Sequence, residues 1–180
     1  MLPIYKVNPS LLLIGDRKSF SKTHKDPGIG VGIFLVDPLR CKFLIGMRIE
    51  SRLFGLPGGW LEPLEEWEEC ASRELKEETG LLIPKENFNH VFTLNIVSLE
   101  NNYHTISCIM YAEIREGEKV KIKNAEPTKC GGWFWSDFEE IHKNYDKLFY
   151  PLQTFLTKFP NVRDVSALKE MICNYSSSVQ

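Results

Sequence analysis

Glu74 and Glu78 stand four residues apart in the acidic run Gly59 to Leu81, GWLEPLEEWEECASRELKEETGL. Pro63 suits a first helical turn, Glu65, Glu66, Glu68 and Glu69 favour the positive end of a helix, and Gly80 suits its far end. The run therefore predicts a helix starting near Pro63 or Leu64 and ending at Gly80. At about 100° per residue, Trp67, Cys70, Ala71 and Leu75 form an apolar arc. Glu65, Glu66, Glu68, Glu69, Arg73 and Lys76 take the opposite arc. Glu74 and Glu78 fall in the middle of the apolar arc, and Glu77 lies on its edge. Carboxylates aimed at a core are costly unless positive charge meets them. Arg73 is expected to point elsewhere, and one arginine does not balance three acids. A bound cation is the simplest remedy, and hard oxygen donors select Mg²⁺ or Mn²⁺. The plainer reading, a solvated acidic face, leaves Glu74 and Glu78 unexplained.

The run has the form Gly, five residues, Glu, seven residues, Arg-Glu, aliphatic, any, Glu-Glu, any, Gly, aliphatic. Gly59, Glu65, Arg73, Glu74, Leu75, Glu77, Glu78, Gly80 and Leu81 fill every fixed position. In this it resembles the Nudix box, the signature of hydrolases that split nucleoside diphosphates linked to another moiety. The resemblance covers roughly residues 27 to 159 and implies an α+β Nudix fold, a mixed β-sheet between helices. It further implies that Glu74, Glu77 and Glu78 hold Mg²⁺, with the backbone carbonyl of Gly58 able to join them. It casts Glu77 as a general base for an attacking water, and Glu65 with Arg73 as an ion pair holding the loop to the helix. Within the family the stretches GIGVGIFLV, LPGGWLEPLEEWEECASREL, ENNYHTISCIM and KLFYPL look closest to small MutT-like nucleoside triphosphate diphosphatases. They are particularly similar to the eukaryotic branch acting on oxidised and thiopurine deoxynucleotides. Trp60 departs from that branch, which tends to carry His there, near the substrate.

The elements around the box follow from pattern. Gly28 to Asp37 reads as a buried strand entered by close backbone packing, and Lys42 to Arg48 as a strand antiparallel to it. Arg48 is either an exposed strand end or a phosphate contact. Gly58 and Gly59 allow close approach of backbone to a ligand, or positive φ. Phe88 to Leu99 and Tyr103 to Ile114 read as a hairpin turning at Glu100-Asn101-Asn102. One of its faces, Tyr103, Thr105, Ser107, Ile109 and Tyr111 or the alternate residues, is expected to line a pocket. Glu113 is either a further acid near the metal or an exposed strand end. Lys119 to Lys123 reads as a basic, solvated run. Trp133 and Trp135 share a strand face. A short helix from Asp137 to His142 is expected to be capped by Ser136, and another begins at Pro151. Residues 1–27 read as an N-terminal extension, 28–159 as the domain, and 160–180 as a tail frayed at its end.

Composition narrows the function classes. The chain has 180 residues, 43% of them apolar and 26% charged, with a net charge of −2. That suits one ordinary globular domain and gives no electrostatic footprint for polymeric nucleic acid or a membrane surface. Five unevenly spaced cysteines show no metal-ligand pattern. Reduced thiols in a cytoplasmic protein are expected, and no signal peptide or spanning segment is visible. The leading expectation is a Mg²⁺-dependent enzyme converting nucleoside triphosphates to monophosphate and pyrophosphate. The alternatives are a hydrolase of ADP-ribose or nucleoside diphosphate sugars, and a nucleotide-sensing module without turnover. The expected partner is a nucleotide, and relatives suggest a homodimer by analogy.

Overall fold

The computed structural model describes residues 27–98, 103–117 and 122–177, with side chains through residue 172. Expectations for residues 1–26, for the turn at Glu100-Asn101-Asn102 and for residues 119–121 of the basic run lie outside the described residues. The strands are β1 (Gly28–Asp37), β2 (Lys42–Arg48), β3 (Phe54–Gly55), β4 (Asn89–Ser98), β5 (Tyr103–Glu113) and β6 (Cys130–Ser136). The helices are α1 (Trp67–Thr79), α2 (Phe138–Lys143), α3 (Tyr150–Lys158) and α4 (Val165–Ser177).

The six strands of the described residues form one mixed sheet. β1 is parallel to β5, and β5 is antiparallel to β4. β2 runs antiparallel to β1, β3 and β6. The strands predicted within the described residues are present, and β4 and β5 are antiparallel as the hairpin requires. Period-two alternation divides β1 between two layers. Ile33 and Leu35 pack with Cys70, Ala71 and Leu75 of α1. Phe34 and Val36 pack with Phe138, Leu152, Phe155, Leu156, Val165 and Leu168 of α2, α3 and α4. The sheet is thus sandwiched between helices, the expected α+β architecture. Trp133 and Trp135 pack together on the α1 layer, and α3 carries Pro151 in its first turn.

Several local expectations need correction. α1 begins at Trp67, not near Pro63 or Leu64. Leu64 has φ +68°, and Glu66 is extended as the N-cap (φ −78°, ψ 158°). The Glu69 carboxylate accepts the Glu66 N–H at 3.1 Å, which fixes the true start. Trp67 lies at the rim of the apolar arc, 37% exposed, with its ring 5.3 Å from that of His90. α2 is capped by Asp137, whose side chain accepts the Glu140 N–H at 2.9 Å; Ser136 lies one residue too early. Residues 160–180 hold the unforeseen helix α4, whose Val165 and Leu168 enter the core. Among the described residues no helix is long and apolar enough to cross a membrane.

Candidate active site

β1 pairs with β2 only at its far end, Val36 and Asp37. Its near half is covered instead by the loop between β3 and α1. Val31 N–H donates to the Gly59 carbonyl at 2.9 Å, Ile33 N–H to the Pro57 carbonyl at 2.8 Å, and Leu61 N–H to the Ile29 carbonyl at 2.9 Å. Gly58, at φ +142°, has no room for a Cβ against the Val31 carbonyl. A Cβ at Gly59 would run into the Glu74 carboxylate. The paired glycines let the loop pass between β1 and α1 with the box acids directly behind it.

The three box acids differ. Glu78 is half-buried, and its Oε2 accepts the Gly58 N–H at 2.9 Å. Burial pushes its carboxyl up to about 8; nearby Glu74 and Glu126 push the same way, while the Gly58 N–H and Arg48 pull it down. Glu74, 14% exposed, is also raised by burial, against the pull of Arg73. Glu77 is 51% exposed, with Oε2 3.4 Å from Arg73 Nη1. Contrary to expectation, Arg73 does not point away from these acids. Its Nε and Nη2 grip Glu65 at 2.7 and 2.9 Å, Nη2 also donates to the Trp60 carbonyl at 2.9 Å, and Nη1 reaches Glu74 at 2.7 Å. The helical angle fixes only where Cβ points, and the long side chain curls back from there. The bidentate grip holds the Glu65 carboxyl down at about 2.

Glu113 is not near this cluster. It pairs with Lys169 and accepts the Tyr111 hydroxyl, on the sheet face opposite α1. Glu126 is the acid that sequence reasoning missed. The chain from Lys123 to Glu126 is laid along the end of α1 by two bonds, Lys123 N–H to the Thr79 carbonyl at 2.8 Å and Ala125 N–H to the Glu78 carbonyl at 3.0 Å. Glu126 therefore lies within electrostatic reach of Glu78, and Lys129, 2.6 Å from Glu126, within reach of Glu74 and Glu78. No local pattern could have shown this, because the contact spans nearly fifty residues.

On the other side of the loop is a cavity of about 550 Å³. Arg48, Gly58, Gly59 and Trp60 line it, together with Tyr103, Thr105 and Ser107 of β5. The Arg48 guanidinium lies 4.4 Å from the ring centre of Phe149. Of the two hairpin faces, the one carrying Tyr103 is the pocket wall. Beside α3, Phe149 at its N-cap faces the cavity, while Phe155 and Leu156 within the helix are core.

Among the described residues, no three His, Cys, Asp or Glu side chains already converge on a cation. Glu74 is turned toward Arg73, and Glu77 toward solvent. The donor set nevertheless fits a hard divalent ion: two half-buried carboxylates one turn apart repel each other, and both resist ionisation.

A mixed sheet between helices, with an acidic helix behind a glycine loop and an aromatic cavity before it, defines a class of nucleotide hydrolase. The family model for the NUDIX domain matches residues 26–156, and the chain belongs to the Nudix family, hydrolases of nucleotide phosphoric anhydrides. Its structure is similar to that of a MutT NUDIX hydrolase from Burkholderia pseudomallei, at 25% identity and TM-score 0.53, over 62% of this chain and 83% of that one. It is also similar to a bifunctional NMN adenylyltransferase/ADP ribose pyrophosphatase from Francisella tularensis, complexed with AMP and a Mn ion, at 20% identity and TM-score 0.61. That match covers 77% of this chain but only 42% of the larger protein. An Ap4A hydrolase from C. elegans matches at 19% identity and TM-score 0.53, over 75% of this chain and 97% of that one. The last two likenesses speak for the fold alone.

Proposed function

We propose that this Nudix hydrolase cleaves nucleoside triphosphates to monophosphate and pyrophosphate with Mg²⁺, Mn²⁺ serving in its place. The observation that carries the reading is the juxtaposition across one loop. Gly58 and Gly59 touch the box acids on one side and line the aromatic cavity on the other. A nucleotide with its base in the cavity has its phosphates led toward Glu74 and Glu78. Glu74, Glu77 and Glu78 are the metal-holding residues, with the Gly58 carbonyl beside them and Glu126 as an outer acid. When bound, the metal supplies the positive charge that neutralises the phosphates and makes water acidic enough to react.

The chain's own residues do the rest. Glu77, 51% exposed and the base in this reading, takes the proton of the attacking water. Arg48, backed by Phe149, meets phosphate or base with a guanidinium whose charge lies between cavity and acids. Glu65 and Arg73 hold the loop, so that positioning is set before substrate arrives. The water oxygen bonds to phosphorus, the phosphoanhydride P–O bond breaks, and pyrophosphate leaves.

The test is product analysis with Mg²⁺ on dGTP, 8-oxo-dGTP, 6-thio-dGTP, dCTP, ADP-ribose and a GDP-sugar. Monophosphate plus pyrophosphate from the triphosphates is the expected result, and their ranking decides whether modified bases are preferred. Turnover of ADP-ribose or the sugar nucleotide alone would replace this reading. Tight binding without turnover would make the protein a sensor.

A further inference from the structure

Trp60 is 56% exposed, although an indole is normally among the best-buried side chains. It is nonetheless closely held. Its backbone bridges to Gly30 of β1, and its carbonyl accepts from Arg73. The six-membered ring of the indole occupies the space that a side chain at Gly28 would fill, and it also lies against Gly30. Neither glycine has a positive φ, so the two are needed for room rather than for a turn. The first strand thus offers a floor without side chains, and one tryptophan lies on it with its remaining surface in the cavity. The same cavity has a second aromatic group: Tyr103 packs 5.9 Å from Phe149 and 5.3 Å from Tyr150.

We infer that Trp60 is a preset stacking platform for the purine base of the nucleotide substrate, and that Gly28 and Gly30 are the residues that position it. The inference deepens the nucleotide-hydrolase reading and rests on it. A bicyclic purine overlaps an indole more fully than a single pyrimidine ring does, and a sugar offers no π-face at all. An indole already immobilised on the sheet loses little freedom when a base stacks on it.

The test is calorimetric binding of dGMP, dCMP and deoxyribose 5-phosphate with Mg²⁺ present, a readout independent of turnover. dGMP is expected to bind more tightly than dCMP, and deoxyribose 5-phosphate least. Trp60→Ala should weaken dGMP roughly ten- to a hundredfold and leave deoxyribose 5-phosphate within about twofold. Trp60→Phe should keep most of the dGMP affinity, which shows that the loop still folds. Gly28→Ala should weaken dGMP nearly as much as Trp60→Ala does, and add little in a Trp60→Ala background, because both changes remove one platform. Undetectable dGMP binding, equal affinity for dCMP, equal loss for deoxyribose 5-phosphate, or full additivity of the two substitutions would each overturn the inference. Wild-type protein that shows the expected dGMP pattern but turns over no triphosphate would uphold the platform and refute the triphosphate reading instead.

Discussion

A carboxylate on the buried side of a helix resists ionisation, and Glu78 shows what that does to the whole protein. Its folded value of about 8 lies above the ordinary 4.5. The folded state therefore holds the proton more tightly than the unfolded chain does. The metal-free protein is least burdened below about 4.5 and loses stability as pH rises through 8. Glu78→Gln should remove that loss, on the order of 5 kcal/mol, and raise Tm in EDTA at pH 9 by about 10–20 °C, with the two proteins converging below pH 4.5. The same variant should lose at least about a hundredfold in kcat/KM with Mg²⁺; near-normal turnover would remove Glu78 from the metal site. Glu65 has the opposite sign. Its value is lowered to about 2, so its contribution is complete above about 4.5 and disappears as pH falls toward 2. Glu65→Gln should flatten that acid limb, and an unchanged acid transition would mean the grip of Arg73 contributes nothing. The buried place of Glu74 and Glu78 was legible because backbone geometry sets the angle. The direction of Arg73 was not, because four rotatable bonds lie between its Cα and its guanidinium.

At the scale of elements, the loop from Leu56 to Glu66 decides how box and cavity meet. Local preference favours an earlier helix, since Pro63 and the glutamates after it are good first-turn residues. The observed start yields to tertiary demand. The Gly59 carbonyl must pair with β1 and the Trp60 carbonyl with Arg73, so the chain arrives by a sharp turn through Leu64. Leu64 is fully exposed at φ +68° and gives nothing back for its strain. Leu64→Gly should stabilise by about 0.5–1 kcal/mol, seen as a higher urea midpoint at unchanged m-value. A loss of stability there would mean that the turn in solution differs. Strands were easier to read than this loop, because alternation is a property of the strand itself. The parallel pairing of β1 with β5 was not readable, since it joins residues more than seventy apart.

For the whole molecule, the family match ends at residue 156 while the core does not. Val165 and Leu168 are buried beside Phe155 and Leu156, and Lys169 reaches back to Glu113 at the end of β5. The signal for this helix was present in the sequence: Asp164 caps it by accepting the Ala167 N–H at 2.8 Å, and Val165, Leu168 and Ile172 recur at helical spacing. What the sequence lacked was the partner, because the salt bridge to Glu113 closes a loop of more than fifty residues. Glu113 reads as a site residue or a strand end until α4 is in place, and then it is an anchor. The helix covers the sheet face that also seats α3, and α3 begins beside Phe149 in the cavity wall. Leu168→Ala should therefore cost about 2–5 kcal/mol, the range for deleting a fully buried leucine side chain. At temperatures where that variant remains folded, kcat should stay close to wild type, since Leu168 lies in the core rather than in the cavity. A cost below about 0.5 kcal/mol, within the range of surface changes, would show that the C-terminal helix is an appendage and that the domain closes without it.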